Sequence, residues 1–144
     1  MMIQNEAKLS FLSKSANESF ARVAVSGFFM QLDPTVDELT DIKTAISEAV
    51  TNAIVHGYRE TTGIVYITLR IVNGRTAYVK VRDTGCGIPD VKQAMEPLYT
   101  TAPEEERAGL GFAVMQSFMD TVRVHSRPGK GTAVIMTKSL RTRE

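Results

Sequence analysis

Glu48 and Asn52 stand four residues apart in the stretch Glu48-Ala-Val-Thr-Asn52. At that spacing a carboxylate and an amide share one side of a helix, about one turn apart. A carboxylate can take a proton from an attacking hydroxyl, and an amide oxygen can supply one ligand to a hard cation such as magnesium. A third polar group, Asp83, opens the turn Asp83-Thr-Gly85-Cys-Gly87. Its carboxylate can accept a hydrogen bond from an exocyclic amine. A second glycine pair, Gly109-Leu-Gly111, precedes a helical pattern. Such a turn lets backbone N–H groups approach phosphate oxygens, and the helix dipole favours the anion. It is not a P-loop, since no lysine follows the glycines, and it lacks the unit of a dinucleotide fingerprint. Each motif alone has a plainer reading: E-x-x-x-N is common on solvent-facing helices, and D-x-G-x-G is mostly a turn.

The elements around these residues must position them. Leu39, Ile42, Ala45, Ile46, Ala49, Val50 and Ala53 recur at helical spacing between Asp37 and Tyr58. Asn52 falls at the margin of that apolar stripe and Glu48 somewhat further out, so both can face a cleft. Thr35 and Glu38 have the spacing of a capping box, and the helix is expected to end near His56-Gly57. The period then changes to two. Val65, Ile67, Leu69 and Ile71 alternate with Tyr66, Thr68 and Arg70, and Asn73-Gly74 signals a hairpin. The return strand sets Ala77, Val79 and Val81 against Tyr78, Lys80 and Arg82. Asp83 is next in the inward series, where a buried carboxylate needs a partner. The alternative is that Asp83 caps the Thr84-Gly85 turn.

Before this region, residues 7–12 read as a strand. Asn17 can cap a helix running to about Leu32, broken by Asp33-Pro34. After it, the pattern dissolves over about 89–108, where Pro89, Pro97, Pro103 and the run Glu104-Glu105-Glu106 interrupt any periodicity. Leu110–Met119 is helical again, and Val122–Ser126 and Thr132–Lys138 form a closing hairpin. The expected fold is an α+β two-layer sandwich over residues 1–144. Its sheet is largely antiparallel and mixed, with about five strands and three to four helices on one face.

Composition narrows the function. The chain has 144 residues and a formal net charge of +1, which argues against a phosphate-tracking nucleic-acid surface. Its one cysteine, Cys86, excludes an internal disulfide and a thiolate zinc site. No apolar run approaches a membrane span and no signal peptide is expected, so a cytoplasmic location is the simplest reading. His56 suits a helix C-terminus, His125 lies in a strand and lacks a partner that would suggest catalysis, and the seven methionines read as core filler.

Taken in order, the Asn52 helix, the two glycine turns and the Gly131-Thr132 strand start resemble the four nucleotide-binding boxes of the GHKL ATPases, the superfamily of gyrase, histidine kinases and MutL. The resemblance implies the Bergerat fold and binding of ATP with Mg²⁺. It implies that Asn52 holds the metal and Asp83 the adenine. Gly85, Gly87, Gly109, Gly111 and Thr132 would contact nucleotide, Arg107 would reach the terminal phosphate, and 89–108 would be the ATP lid. It places Glu48 near the γ-phosphate as general base.

Asn17-Glu-Ser-Phe-Ala-Arg22, Gln31-Leu-Asp-Pro34, Ser47–Ile54, Glu96–Thr101 and Glu106–Phe112 resemble the anti-sigma F factors of spore-forming bacilli. That closer resemblance implies a homodimer that holds the sporulation sigma-F factor and phosphorylates a serine of an anti-anti-sigma protein. Glu18 and Arg22 would contribute to partner contact, although the residues alone read as an exposed helix pair. Two classes remain open. One is a serine kinase that is also a regulatory binder. The other is a nucleotide-gated binding module or ATPase domain without protein phosphorylation. Glu48 favours the first, because a binder needs only Asn52, Asp83 and the glycines.

Overall fold

Both alternating segments form strands, and the register between them is the one their patterns require. The computed structural model describes residues 2–95 and 111–141. Within these, β1 (Ile3–Leu12) is followed by α1 (Asn17–Phe29) and a 3₁₀ turn (Met30–Leu32). Next come α2 (Val36–Asn52), a π-helical turn (Ala53–Gly57) and the hairpin β2 (Ile64–Val72) and β3 (Thr76–Asp83). A single turn α3 (Val91–Ala94), then α4 (Gly111–Phe118), β4 (Thr121–Arg127) and β5 (Gly131–Ser139) complete the described chain. The strands form one sheet in the order β1-β2-β3-β5-β4. All four pairings are antiparallel, so the sheet is more uniform than the mixed arrangement expected.

The hydrophobic alternation decides the layering. Val65, Ile67, Leu69, Ala77, Val79 and Val81 are buried, while the residues between them face the open side. Onto this apolar face α1 packs Val25 and Phe29, α2 packs Ile42, Ile46 and Val50, and α4 packs Met115. Each large apolar side chain removed from water contributes roughly 1.5–3 kcal/mol before conformational entropy is subtracted. Met115, Met119 and Met136 are buried, whereas Met2 and Met30 are exposed, so only part of the methionine complement fills the core.

Local signals explain most boundaries. Asn73 and Gly74 both have positive φ, as the tight turn between β2 and β3 demands. The helix 36–52 begins with a complete capping box: Thr35 Oγ1 accepts from Glu38 N–H at 3.1 Å, and Glu38 Oε1 accepts from Thr35 N–H at 2.8 Å. Asn17 does not cap α1. Ala16 occupies the cap position without a side-chain bond, and the Asn17 amide instead donates to the Leu12 carbonyl at 2.9 Å, tying the helix start to the end of β1. Strands β1, β4 and β5 extend one to four residues beyond the sequence-based limits, because sheet pairing recruits polar residues that alternation alone does not mark. Asp90 caps α3, so the segment from Pro89 begins with a helical turn that three prolines concealed.

Glu38 has a second task. Its Oε2 accepts from Arg141 N–H at 2.8 Å, joining the start of α2 to the last described residue. Burial pushes the Glu38 carboxyl up, but the bonds from Thr35 and Arg141 outweigh burial and hold it below its ordinary value. A lowered carboxyl contributes stability above its unfolded pKa and loses it as pH falls through the folded pKa. Glu38→Gln is therefore expected to lower stability near neutral pH, with the difference from the parent shrinking on acidification below about 4.5. Urea unfolding of both proteins across that range checks it. Thr35→Ala should cost about 1 kcal/mol in the same assay.

Candidate functional site

The end of α2 is not a simple stop. At Ala53 the helix widens into a π turn, and Tyr58 N–H reaches back five residues to the Ala53 carbonyl at 3.0 Å. Such turns are rare and occur disproportionately at functional sites. The widening delivers the Gly57 carbonyl to the turn after β3, where it accepts from Cys86 N–H at 2.8 Å. Tyr58, which carries no motif, completes the grip: its hydroxyl accepts from Thr84 N–H at 2.9 Å and donates to the Ile64 carbonyl.

This docking explains Gly85. A Cβ there would lie 1.9 Å from the Gly57 carbonyl oxygen, so only glycine allows the two backbones to meet. Gly85 therefore packs the turn against the helix end rather than lining the cavity. Gly87, with φ 77°, does line it.

Asp83 lies where the alternation puts it, on the helix side at the end of β3, with 5% of its surface exposed. Both sequence readings hold at once. Its Oδ1 accepts from Gly85 N–H at 2.9 Å and so caps the turn, and the carboxyl also forms part of a cavity wall. Burial pushes the Asp83 pKa up, and the hydrogen bonds from the Gly85 and Thr132 backbones, with the Arg82 charge, offset this only in part.

The cavity measures about 340 Å³. Ala49, Asn52 and Ala53 of α2 form one wall, with Val81, Asp83 and Val134 of the sheet opposite. Ile88, Pro89 and Phe112 add apolar surface. A largely apolar space with a few fixed polar groups suits a flat heterocycle with a polar edge.

At its rim, both Nδ2 and Oδ1 of Asn52 are buried without a hydrogen-bond partner among the described residues. Buried polar atoms are nearly always paired, so an orphaned amide at the rim of a cavity marks a candidate ligand position. Glu48 shares the neighbourhood. A Cβ placed on Gly111 would stand 3.0 Å from Asn52 Nδ2 and 3.4 Å from Glu48 Oε2. The first residue of α4 thus faces both side chains, and the absence of a side chain there leaves room in front of them.

Thr132 lines the cavity, and its hydroxyl lies 2.8 Å from that of Ser126. Ser126 Oγ also accepts from Ile88 N–H at 2.7 Å. Ser126 and Tyr58 are the supporting residues that motif reading missed. The register of β4 with β5 exposes the first, and nothing in the sequence marks the second. His56 and Arg59 also border the cavity, and the His56 carbonyl accepts from the Cys86 thiol at 3.1 Å. Glu18 and Arg22 pair at 3.4 Å on α1 beside exposed Phe20 and Val23, and neither lines the cavity. Arg107, Gly109 and residues 96–108 of the expected lid lie outside the described residues.

Comparison with known proteins gives the family and the fold. Residues 13–138 match the histidine kinase-like ATPase domain. The anti-sigma F factor of Clostridium kluyveri is 56% identical over 137 residues, covering 95% of this chain and 96% of that protein. Those of Thermoanaerobacter sp. and Anoxybacillus flavithermus are 56% and 52% identical, over 96% of this chain and 96% and 94% of theirs. Among solved structures, the RsbU and RsbW domains of a Mycobacterium tuberculosis protein superpose with a TM-score of 0.69 at 17% identity, over 95% of this chain and 33% of that one. The histidine kinase domain of the Escherichia coli osmosensor EnvZ gives 0.50 at 18% identity, over 100% and 93%. The chain belongs to the histidine kinase-like ATPases and, within them, to the family of the anti-sigma F factors. Membership of the first implies binding of ATP.

Two outcomes are expected. Asn52→Ala removes two buried polar atoms that are unpaired among the described residues, so the unliganded variant should unfold within about 1 kcal/mol of the parent or later. Stabilisation by added Mg·ATP is expected in the parent and not in the variant, and thermal unfolding with and without nucleotide checks both. Asp83, with its raised pKa, contributes stability that is fully present below the unfolded value of 3.8 and is lost as pH rises through the folded value. Relative to Asp83→Asn, the unliganded parent should therefore lose stability on going from acid toward neutral pH, the opposite of Glu38.

Proposed function

We propose that this chain is an ATP-dependent protein serine kinase and an anti-sigma factor. In this reading it holds the sigma-F factor and phosphorylates a serine of an anti-anti-sigma protein, acting as a homodimer in the cytoplasm. The observation that carries the catalytic part is the buried amide of Asn52, unpaired among the described residues, with the Glu48 carboxylate beside it, both facing Gly111.

The donor set fits magnesium nucleotide. The Asn52 amide oxygen would hold Mg²⁺, which takes few protein ligands and keeps several waters or phosphate oxygens. Asp83 at the cavity wall would accept from the exocyclic amine of adenine, and Gly87 and Thr132 would border the base. Gly109 and Gly111 would turn backbone N–H groups toward phosphate, with Arg107 near the terminal group; Arg107 and Gly109 enter on sequence resemblance alone. When bound, Mg·ATP supplies the transferable phosphoryl group.

Glu48 then accepts the proton of the incoming serine hydroxyl as its oxygen bonds to phosphorus, while the bond from phosphorus to the ADP oxygen breaks. A pure binder needs only Asn52, Asp83 and the glycines, so a carboxylate at this position favours the kinase reading. Glu18 and Arg22, displayed on α1 beside exposed Phe20 and Val23, form the surface offered to the protein partners.

Glu48→Gln tests the assignment. The amide is nearly isosteric but is no base at neutral pH. Phosphotransfer to the anti-anti-sigma protein is expected to fall by on the order of 10²–10⁴-fold, with Mg·ATP binding and ATP-dependent sigma binding retained. A phosphotransfer time course beside nucleotide and sigma titrations reads all three. Near-parental transfer removes Glu48 from the mechanism, and joint loss of nucleotide binding reduces it to an ordering role.

A further inference from the structure

The side of the sheet that no helix covers carries a charge pattern the cavity does not use. Strand register places Lys8, Thr68, Lys80, Ile135 and Arg123 in one row across all five strands. Neighbouring strands lie about 4.8 Å apart, so the three cations, on alternate strands, repeat every ~10 Å. Arg82 stands in the adjacent row. Two shallow grooves flank it: one of about 460 Å³ along Lys8 and Lys80, the other of about 490 Å³ along Arg127 and Lys130.

Compensating acid is scarce on this face. Glu6 is taken by Arg70, and Asp83 is buried at the end of its strand. Lys8, Lys80, Arg82 and Arg123 form no ion pair with a carboxylate among the described residues. The near-zero net charge of the chain thus conceals a cationic face.

We propose that this face docks an extended acidic segment of a partner protein, laid across the strands with carboxylates about three residues apart. A segment extended as polyproline II has three residues per turn and advances about 3.1 Å per residue, so every third side chain points the same way and meets the next cation in the row. The aromatic residues argue for polypeptide over single-stranded nucleic acid. Nucleic-acid platforms offer open ring faces for base stacking. Here the Arg82 guanidinium lies 4.2 Å from the Tyr66 ring centre and that of Arg70 4.9 Å from Tyr78. Like charge opposes packing this face on a second copy of itself. Lys8 and Lys80 do not line the nucleotide cavity, so the docking is independent of the kinase reading.

The test uses the full chain and a fluorescent peptide of repeated Glu-Ser-Ser, with repeated Gln-Ser-Ser as control. The acidic peptide is expected to bind, the neutral one not, and binding to weaken as ionic strength rises. Lys8→Glu with Lys80→Glu should reduce binding by on the order of tenfold or more, and Lys8→Gln with Lys80→Gln by less. Both double variants should keep parental ATP binding, which also reports that they fold. Carbodiimide cross-linking of bound peptide should map to Lys8 and Lys80. Equal binding by parent and the charge-reversed variant overturns the proposal. So does cross-linking confined to other lysines, tighter binding of a thymidine oligonucleotide of matched length, or self-association of the parent that the charge reversal abolishes.

Discussion

The Cys86 N–H donates to the Gly57 carbonyl at 2.8 Å, and through that bond the end of α2 and the turn after β3 become one unit. The helix brings Glu48 and Asn52; the strand brings Asp83. Neither element can hold a site alone. The bond forms only because the helix widens into a π turn before Gly57 and because Gly85 has no side chain to keep the backbones apart. Tyr58, packed under both segments, satisfies Thr84 N–H and fixes the turn from the other side. A change at any of these contacts would shift Asp83 relative to Asn52 without touching either.

Two carboxylates show how the fold uses buried charge in opposite ways. Glu38 receives hydrogen bonds from Thr35 and Arg141, so its ionised form is the stabilising one. Asp83 is more deeply enclosed by apolar walls and is left partly uncompensated. Asn52 is worse off, with two buried polar atoms and no internal partner among the described residues. A sheet-on-helix core of this quality has no structural need for such a group. In the proposed function a ligand from outside the chain offsets the cost of burying it.

The sheet divides the molecule's business between its faces. Its inner face, Val65 to Val81 and Met136, supports the helices and the cavity. Its outer face is solvated and cationic, with arginines stacked on Tyr66 and Tyr78. Because pleating sends successive residues to opposite faces, the same strands can change on one face while leaving the other intact. Gly111, at the seam between α4 and α2, shows the reverse economy: one missing side chain opens space before both Asn52 and Glu48.

By itself the sequence determined the layers, the hairpin and the places of the polar residues. Period-two alternation from Val65 to Asp83 predicted which face Asp83 would take, and the Thr35–Glu38 spacing predicted the capping box, because both signals act between neighbours in the chain. The motifs also carried the family resemblance. What only tertiary structure decided depends on residues far apart in sequence meeting in space. Asn17 binds back to Leu12 instead of capping α1, and the role of Gly85 is set by contact with Gly57, 28 residues earlier in the chain. The orphaned state of Asn52 is a statement about everything around it, and no spacing encodes that. The cationic row of Lys8, Lys80 and Arg123 exists only through the register of non-adjacent strands, which is why a net charge near zero hid it.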